Sequence, residues 1–321
     1  MIRPGVRGVD LGAHQLSYAA GSSSLTPDGF RILGESDRRR LTQLVGTFPA
    51  LSGWLNEDSL IISAYPASLG LQGLAPFVDT YLHPPTFIRS MRLAALDFRP
   101  VVMAAQPLVG ADMILRTIAA GLEMPKAILW AVGGYYLPES LESFIADELA
   151  QCGCRLEVLH CYGVAEIGHT CFAAMNRFES GEPRYQLVAD DVFSTIQRDS
   201  GCLELRRSDR TLVTEDLAEI VNGDWKIRNG KGRMCPDVMR DLESWSATDW
   251  QRRTGYLHAD KTRVIYQLRE SAEASTSTVE MRYYRFLERF GGSLQCKPKW
   301  HRKELTRRVN SNRSSQRAAL A

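Results

Sequence analysis

Residues 59–161 constrain the fold more than any other part of the chain, because short apolar runs alternate there with helical spacing. SLIISAYP (59–66) and VVMAAQ (101–106) have strand length, and LVGADMILRTIAAG (108–121) sets its apolar residues at helical intervals. AILWAV (127–132) reads as another buried strand, Pro138 opens a helix through about Ala150, and RLEVLHC (155–161) returns as a strand. Strand, helix, strand, helix, strand implies a parallel sheet covered by helices.

From about residue 185 the pattern changes to short strands separated by turn signals: YQLVAD, GCLELRR and TLVTEDLAEIV, the last turning at Asn222 and Gly223 into DWKIR. An asparagine followed by glycine supplies the positive φ angles of a tight hairpin, so a β-meander is expected after the α/β part. Near GKGR (230–233) the apolar density falls, and the remainder is helical and strand-like pieces broken by SAEASTST. The expected organisation is an α/β large domain over 1–233, a parallel sheet with flanking helices plus the meander, then a small α+β domain over 234–321.

Charge and cysteine usage narrow the setting. Lysine and arginine number 39 against 37 aspartates and glutamates, a net +2 that singles out neither nucleic acid nor an acidic substrate. The basic segment KPKWHRKELTRR (297–308) reads on its own as solvated surface. No apolar run approaches the roughly 20 residues of a membrane helix, and no basic start leads into an apolar stretch, so no membrane span and a cytoplasmic location are expected. Seven cysteines, an odd number in a chain of 321 residues, fit a reducing compartment. Cys152, Cys154, His160 and Cys161 are residue types zinc prefers, yet strand alternation aims His160 and Cys161 at opposite faces and no paired CxxC spacing supports a zinc site.

Four further pieces carry residues suited to a nucleotide. GSSSLTPDG (21–29) offers the hydroxyls of Ser22, Ser23 and Ser24. In AVGGYYLPES, Gly133 and Gly134 follow a strand and let backbone approach a ligand closely, as they also would in a plain turn. CYGVAEIG (161–168) supplies Tyr162, a flat apolar face with a polar tip, then Gly163 and Glu166, a hard oxygen ligand of the kind Mg²⁺ takes. In TLVTEDLAEIVNGDWKIRNGKGR, Asp216 stands seventeen residues before Arg233. A carboxylate can accept two hydroxyl donors, and a guanidinium can hold a fork of acceptors.

In this order the four pieces resemble the nucleotide-binding motifs of the adenylate-forming superfamily, the acyl-CoA synthetases and acyl-protein ligases. The resemblance covers residues 16–233 and lies towards the phenylacetate-CoA ligase and acyl-protein synthetase branches. It implies that the Tyr162 ring lies against adenine, that Glu166 meets Mg²⁺, that Asp216 takes the ribose hydroxyls, and that Arg233 stands at a domain hinge. It also implies a catalytic lysine on the small domain, for which Lys303 is the candidate and Lys299 the next. The reaction implied is ATP-dependent adenylation of a carboxylic acid, with transfer to a thiol of coenzyme A, a carrier protein or a protein.

The pattern is also departed from. Ser22 and Leu25 stand where the family's phosphate loop has glycines, Asp28 where it has lysine, Ala165 where a phosphate-touching hydroxyl belongs, and Glu215 where the glycine before Asp216 belongs. Glycines let successive NH groups curl round phosphate, and exchanging lysine for aspartate changes the local charge by two units. The chain resembles a member shortened at its N-terminus. An impaired pseudoenzyme or partner subunit that keeps the AMP-binding fold is the alternative reading. The site residues are expected to converge on one cleft, and Trp130 and Tyr136 are candidates for lining an acyl pocket.

Overall fold

The structure, a computed structural model, describes residues 17–20, 30–33, 36–56, 58–64, 75–80, 83–97, 99–134, 137–164, 167–207 and 210–228. Within it a seven-stranded mixed sheet carries helices on both faces and is followed by a four-stranded antiparallel sheet. The small domain expected over 234–321 lies outside the described residues.

The chain enters through two strands, β1 (Ser17–Ala20) and β2 (Phe30–Leu33), which pair antiparallel and bracket the GSSSLTPDG segment. Helix α1 (Ser36–Thr47) and a 3₁₀ turn (Pro49–Gly53) lead into β3 (Leu60–Ala64) and β4 (Phe77–Asp79). Helix α2 (Pro84–Leu96), β5 (Val101–Ala105), α3 (Pro107–Ala119), β6 (Ala127–Val132), α4 (Glu139–Gln151) and β7 (Arg155–Val164) follow in strict alternation. Prolines at the first turn of α2 and α3 start those helices where a missing N–H costs nothing. At α4, Pro138 is the residue just outside the helix, and Glu139 and Glu142 place negative charge on its first turn, where the helix dipole favours it.

Strands β4, β3, β5, β6 and β7 lie side by side and parallel, as the sequence alternation implies, and β8 (Gly168–Ala174) and β9 (Gln186–Leu187) continue the sheet antiparallel. Period-two alternation sorts the buried strands between two cores. Ile62, Met103 and Trp130 pack with the helices α2, α3 and α4, whereas Ile61, Val102 and Leu129 face Leu44, Leu51 and Trp54. Among the described residues no helix is long and apolar enough to cross a membrane.

Trp130 belongs to the first core: it is fully buried, its indole N–H donates to the Ala105 carbonyl oxygen (3.3 Å), and Gly110 of α3 lies against it. A β-carbon on Gly110 would stand 2.5 Å from the ring, so the glycine is what lets α3 approach β6. The other pocket candidate, Tyr136, lies outside the described residues.

The second sheet is the expected meander, with strands β10 (Phe193–Ile196), β11 (Cys202–Arg207), β12 (Arg210–Val221) and β13 (Asp224–Arg228) in that spatial order. Asn222 (φ 53°) and Gly223 (φ 88°) make the tight turn between β12 and β13 that their sequence calls for. YQLVAD does not open the meander. Its strand, β9, joins the edge of the seven-stranded sheet, and Phe193–Ile196 takes the first place instead. A third core, including Val164, Phe172, Leu203, Leu205 and Ile227, fills the space between the β7–β8 hairpin and the meander.

Candidate functional site

Two of the four motif pieces meet in that third core. Tyr162, near the C-terminal end of β7, donates its hydroxyl hydrogen to Oδ2 of Asp216 on β12 at 2.6 Å, across 54 residues of sequence. Ligands of open α/β sheets bind beyond the carboxyl ends of the strands, and Tyr162 stands at such an end.

Asp216 reaches this position through an irregularity in the meander. Cys202 faces Leu217 and Glu204 faces Val213, so this stretch holds two more residues on β12 than on β11. Such a bulge bends and twists the strand that carries it. Thr214 steadies it: its Oγ1 donates to the Leu203 carbonyl oxygen (2.9 Å) and accepts from the Asp216 backbone N–H (3.2 Å). Thr214 and Asp216 point inward, and Glu215 between them is exposed. The glycine-to-glutamate departure therefore falls on the solvent side.

Gly133 and Gly134 leave β6 immediately beyond the Val132–His160 pair, beside Cys161. A β-carbon on Gly133 would stand 3.3 Å from the Cys161 carbonyl oxygen, and Gly134 has φ 90°. Both glycines thus answer to local geometry at the strand end. Gly163 falls where the β7–β8 register shifts, between the Tyr162–Phe172 and Val164–Gly168 pairs.

The surroundings differ from an open cleft. Tyr162 is 4% exposed and Asp216 1%. The Tyr162 ring lies edge-on to Phe172 and Tyr185, with centroids 5.9 and 6.2 Å away. The aromatic face expected to receive adenine is therefore packed inside the protein. Its hydroxyl holds the carboxyl group expected to receive ribose. Sequence order shows which residues approach each other, but closure depends on side-chain packing that it does not record.

Cys161, next to Tyr162, carries a thiol pushed up to about 12 by burial, against a smaller opposite pull from its hydrogen bond with Thr170. It stays protonated at neutral pH, a state that disfavours it as a nucleophile. His160 and Cys161 do take opposite faces: Cys161 packs with the core of α1, while His160 Nε2 lies 3.4 Å from Glu142 Oε2 on α4. Arg177 also pairs with Glu142 and donates to the carbonyl oxygens of Leu137 (2.9 Å) and Gly181 (2.6 Å). Burial pushes the His160 pKa down, Glu142 partly offsetting this and Arg177 adding to it. Burial would raise the Glu142 pKa, but His160 and Arg177 together hold it below the usual carboxyl value. No sequence pattern marked this cluster, whose members come from three elements.

A cavity of about 560 Å³ lies near the other end of β7, lined by Phe48, Glu142, Glu157, Val158 and Met175 among others. It does not include Tyr162, Asp216 or the glycine pair. Ser22, Ser23, Ser24, Glu166, Arg233 and Lys303 lie outside the described residues.

No protein-family model matches the chain, and no curated protein does. Solved structures do resemble it. An anthranilate CoA ligase, AuaEII, in complex with anthranoyl-AMP is 12% identical with a TM-score of 0.43, the match covering 68% of this chain and 47% of that one. Wild-type E. coli MenE with a bound phenylether-linked analogue of OSB-AMS is 13% identical with a TM-score of 0.41, covering 68% of this chain and 48% of that one. The amide bond synthetase McbA from Marinactinospora thermotolerans is 11% identical with a TM-score of 0.41, covering 67% and 48%. The chain spans about half the length of each of these structures. At these identities the likeness is one of fold alone.

Proposed function

We propose that the chain is an adenylate-forming ligase, which joins a carboxylic acid to AMP at the expense of ATP and passes the acyl group to a thiol. The observation that carries this reading is the meeting of Tyr162 and Asp216, residues of two separate motifs that reach one another from different sheets. In the reaction an oxygen of the substrate carboxylate attacks the α-phosphorus of ATP, an acyl–phosphate bond forms, and the bond to the β-phosphate breaks with its electron pair leaving on pyrophosphate. A thiol, as its thiolate, then attacks the acyl carbon and AMP departs. Asp216 would hold ribose, Tyr162 adenine, and Gly133 and Gly134 would give the base room. Glu166 would hold Mg²⁺ and Lys303 would neutralise developing charge; Arg233 would stand at the hinge. Positioning and charge neutralisation supply most of the acceleration in such a step.

A second reading, a pseudoenzyme or partner subunit that keeps the fold for nucleotide binding alone, is favoured by the closed Tyr162–Asp216 contact and by Asp28 in the phosphate loop. Titrating AMP and ATP into the full chain by calorimetry, with Asp216→Asn alongside, tests the nucleotide site. Binding that Asp216→Asn abolishes supports it; no binding of either nucleotide removes both readings. Pyrophosphate release on addition of a panel of carboxylic acids then separates the ligase, which releases it, from the binding protein, which does not.

A further inference from the structure

The Tyr162–Asp216 pair carries an inference that rests on the nucleotide-site reading and deepens it. Three observations meet there. The hydroxyl already satisfies Oδ2 of Asp216 at 2.6 Å. Neither side chain is open to solvent. The ring makes T-shaped contacts with Phe172 and Tyr185. Tyr185 is itself held in place, because its backbone N–H and carbonyl oxygen exchange hydrogen bonds with Trp225 of the meander.

We propose that Tyr162 is an autoinhibitory latch: its hydroxyl takes the place of a ribose hydroxyl on Asp216, and the site admits a nucleotide only when that hydrogen bond breaks and the ring moves out of the core. The nucleotide hydroxyl then replaces the phenol as donor, so the carboxyl group is never left buried without a partner. Leaving a buried acceptor unmet costs more than an average hydrogen bond contributes, which is why the exchange must be one donor for another. Tyr162 acts here through Asp216, as a positioning residue that sets how readily the carboxyl group is reached.

The sheet geometry supports motion at the ring rather than at the carboxyl group. Asp216 is held within a bulge that Thr214 braces by two hydrogen bonds, whereas Tyr162 sits one residue before the register shift of the β7–β8 hairpin and two residues before the end of β7. Backbone at a strand end with an interrupted ladder opens more readily than backbone within a continuous one.

The test compares AMP affinity of the unaltered chain with that of Tyr162→Phe, which keeps the ring and removes the donor. The latch predicts that AMP binds Tyr162→Phe more tightly, by roughly two- to tenfold, the range set by one net hydrogen bond. A structural strut predicts the reverse: lower thermal stability with AMP affinity unchanged or weakened, and that result overturns the latch. If AMP binds the unaltered chain in an Asp216-dependent way but not more tightly to Tyr162→Phe, the latch falls and the nucleotide site stands. If AMP binds neither protein, both fall. Should Tyr162→Phe fail to fold, 3-fluorotyrosine at position 162 preserves ring and hydroxyl. Its fluorine resonance must then move on AMP addition, and an unmoved resonance in an AMP-saturated sample overturns the latch.

Discussion

Tyr185 and Trp225 exchange two backbone hydrogen bonds, N–H to carbonyl oxygen in each direction at 3.0 and 2.8 Å, and this isolated bridge joins the edge of the α/β sheet to the last strand of the meander. The same tyrosine lays its ring against Tyr162, so the join between the sheets and the candidate site share one residue, through its backbone and its side chain respectively.

Truncating that side chain should loosen both. Tyr185 is 5% exposed, and Tyr185→Ala should cost about 3–5 kcal/mol, the range for removing a large buried ring. Tyr185→Phe keeps the ring and should cost well under half as much. Urea unfolding of the two variants against the parent checks the difference.

Gly134 gives a prediction that separates backbone from packing. Its φ of 90° lies where a β-carbon is strained, so Gly134→Ala should destabilise the fold by about 1–2 kcal/mol. Gly46 has open space around the position of a β-carbon and a negative φ within α1, so Gly46→Ala should stabilise by about 0.5–1 kcal/mol. Opposite shifts in thermal midpoint are the expected result.

Acid should weaken the chain in a window set by His160. Its folded pKa lies below the usual value of 6.5, chiefly through burial. The unfolded chain therefore takes up a proton that the folded chain refuses, and stability is full above about pH 6.5 and falls as pH drops towards the folded pKa. The loss has a slope of at most about 1.4 kcal/mol per pH unit. Glu142, whose folded pKa is also lowered, adds a second loss below about pH 4.5. His160→Gln, which does not titrate, should flatten the upper window and also shrink the lower one, because His160 helps Arg177 hold the Glu142 pKa down. Denaturant titrations at closely spaced pH values resolve the two.

Asp28 concerns the ligase reading directly. Replacing it with lysine removes repulsion of the ATP phosphates and adds attraction, so Asp28→Lys should raise the rate of pyrophosphate release where a carboxylic acid supports any. A fall in that rate would show that the carboxylate has acquired a role of its own.

The strands β3, β5, β6 and β7 were legible because each is an apolar run of strand length bounded by helical spacing. The destination of YQLVAD was not: a short strand's periodicity says which face it buries and nothing of which edge it joins. Trp130 reads equally as pocket lining or core, and only Gly110 pressed against its ring decides for core. Asp216 and Tyr162 could be paired through motif order, but the contact between hydroxyl and carboxyl depends on a bulge and on Phe172 and Tyr185, whose spatial roles no local pattern encodes. The pairing of Glu142, His160 and Arg177 left no mark in the sequence because their assembly is tertiary; His160 stood out there only beside nearby cysteines.

The bulge on β12 makes part of the candidate site a matter of arithmetic along the strand. Two additional residues preserve which side of the ribbon each later side chain faces, while one would reverse it. Deleting a single residue between Val213 and Leu217 would carry an inward carboxyl group to the outside and leave the inward face to a neighbour. Position 215, on the solvent side, can therefore vary in identity, while the number of residues separating Val213 from Leu217 cannot.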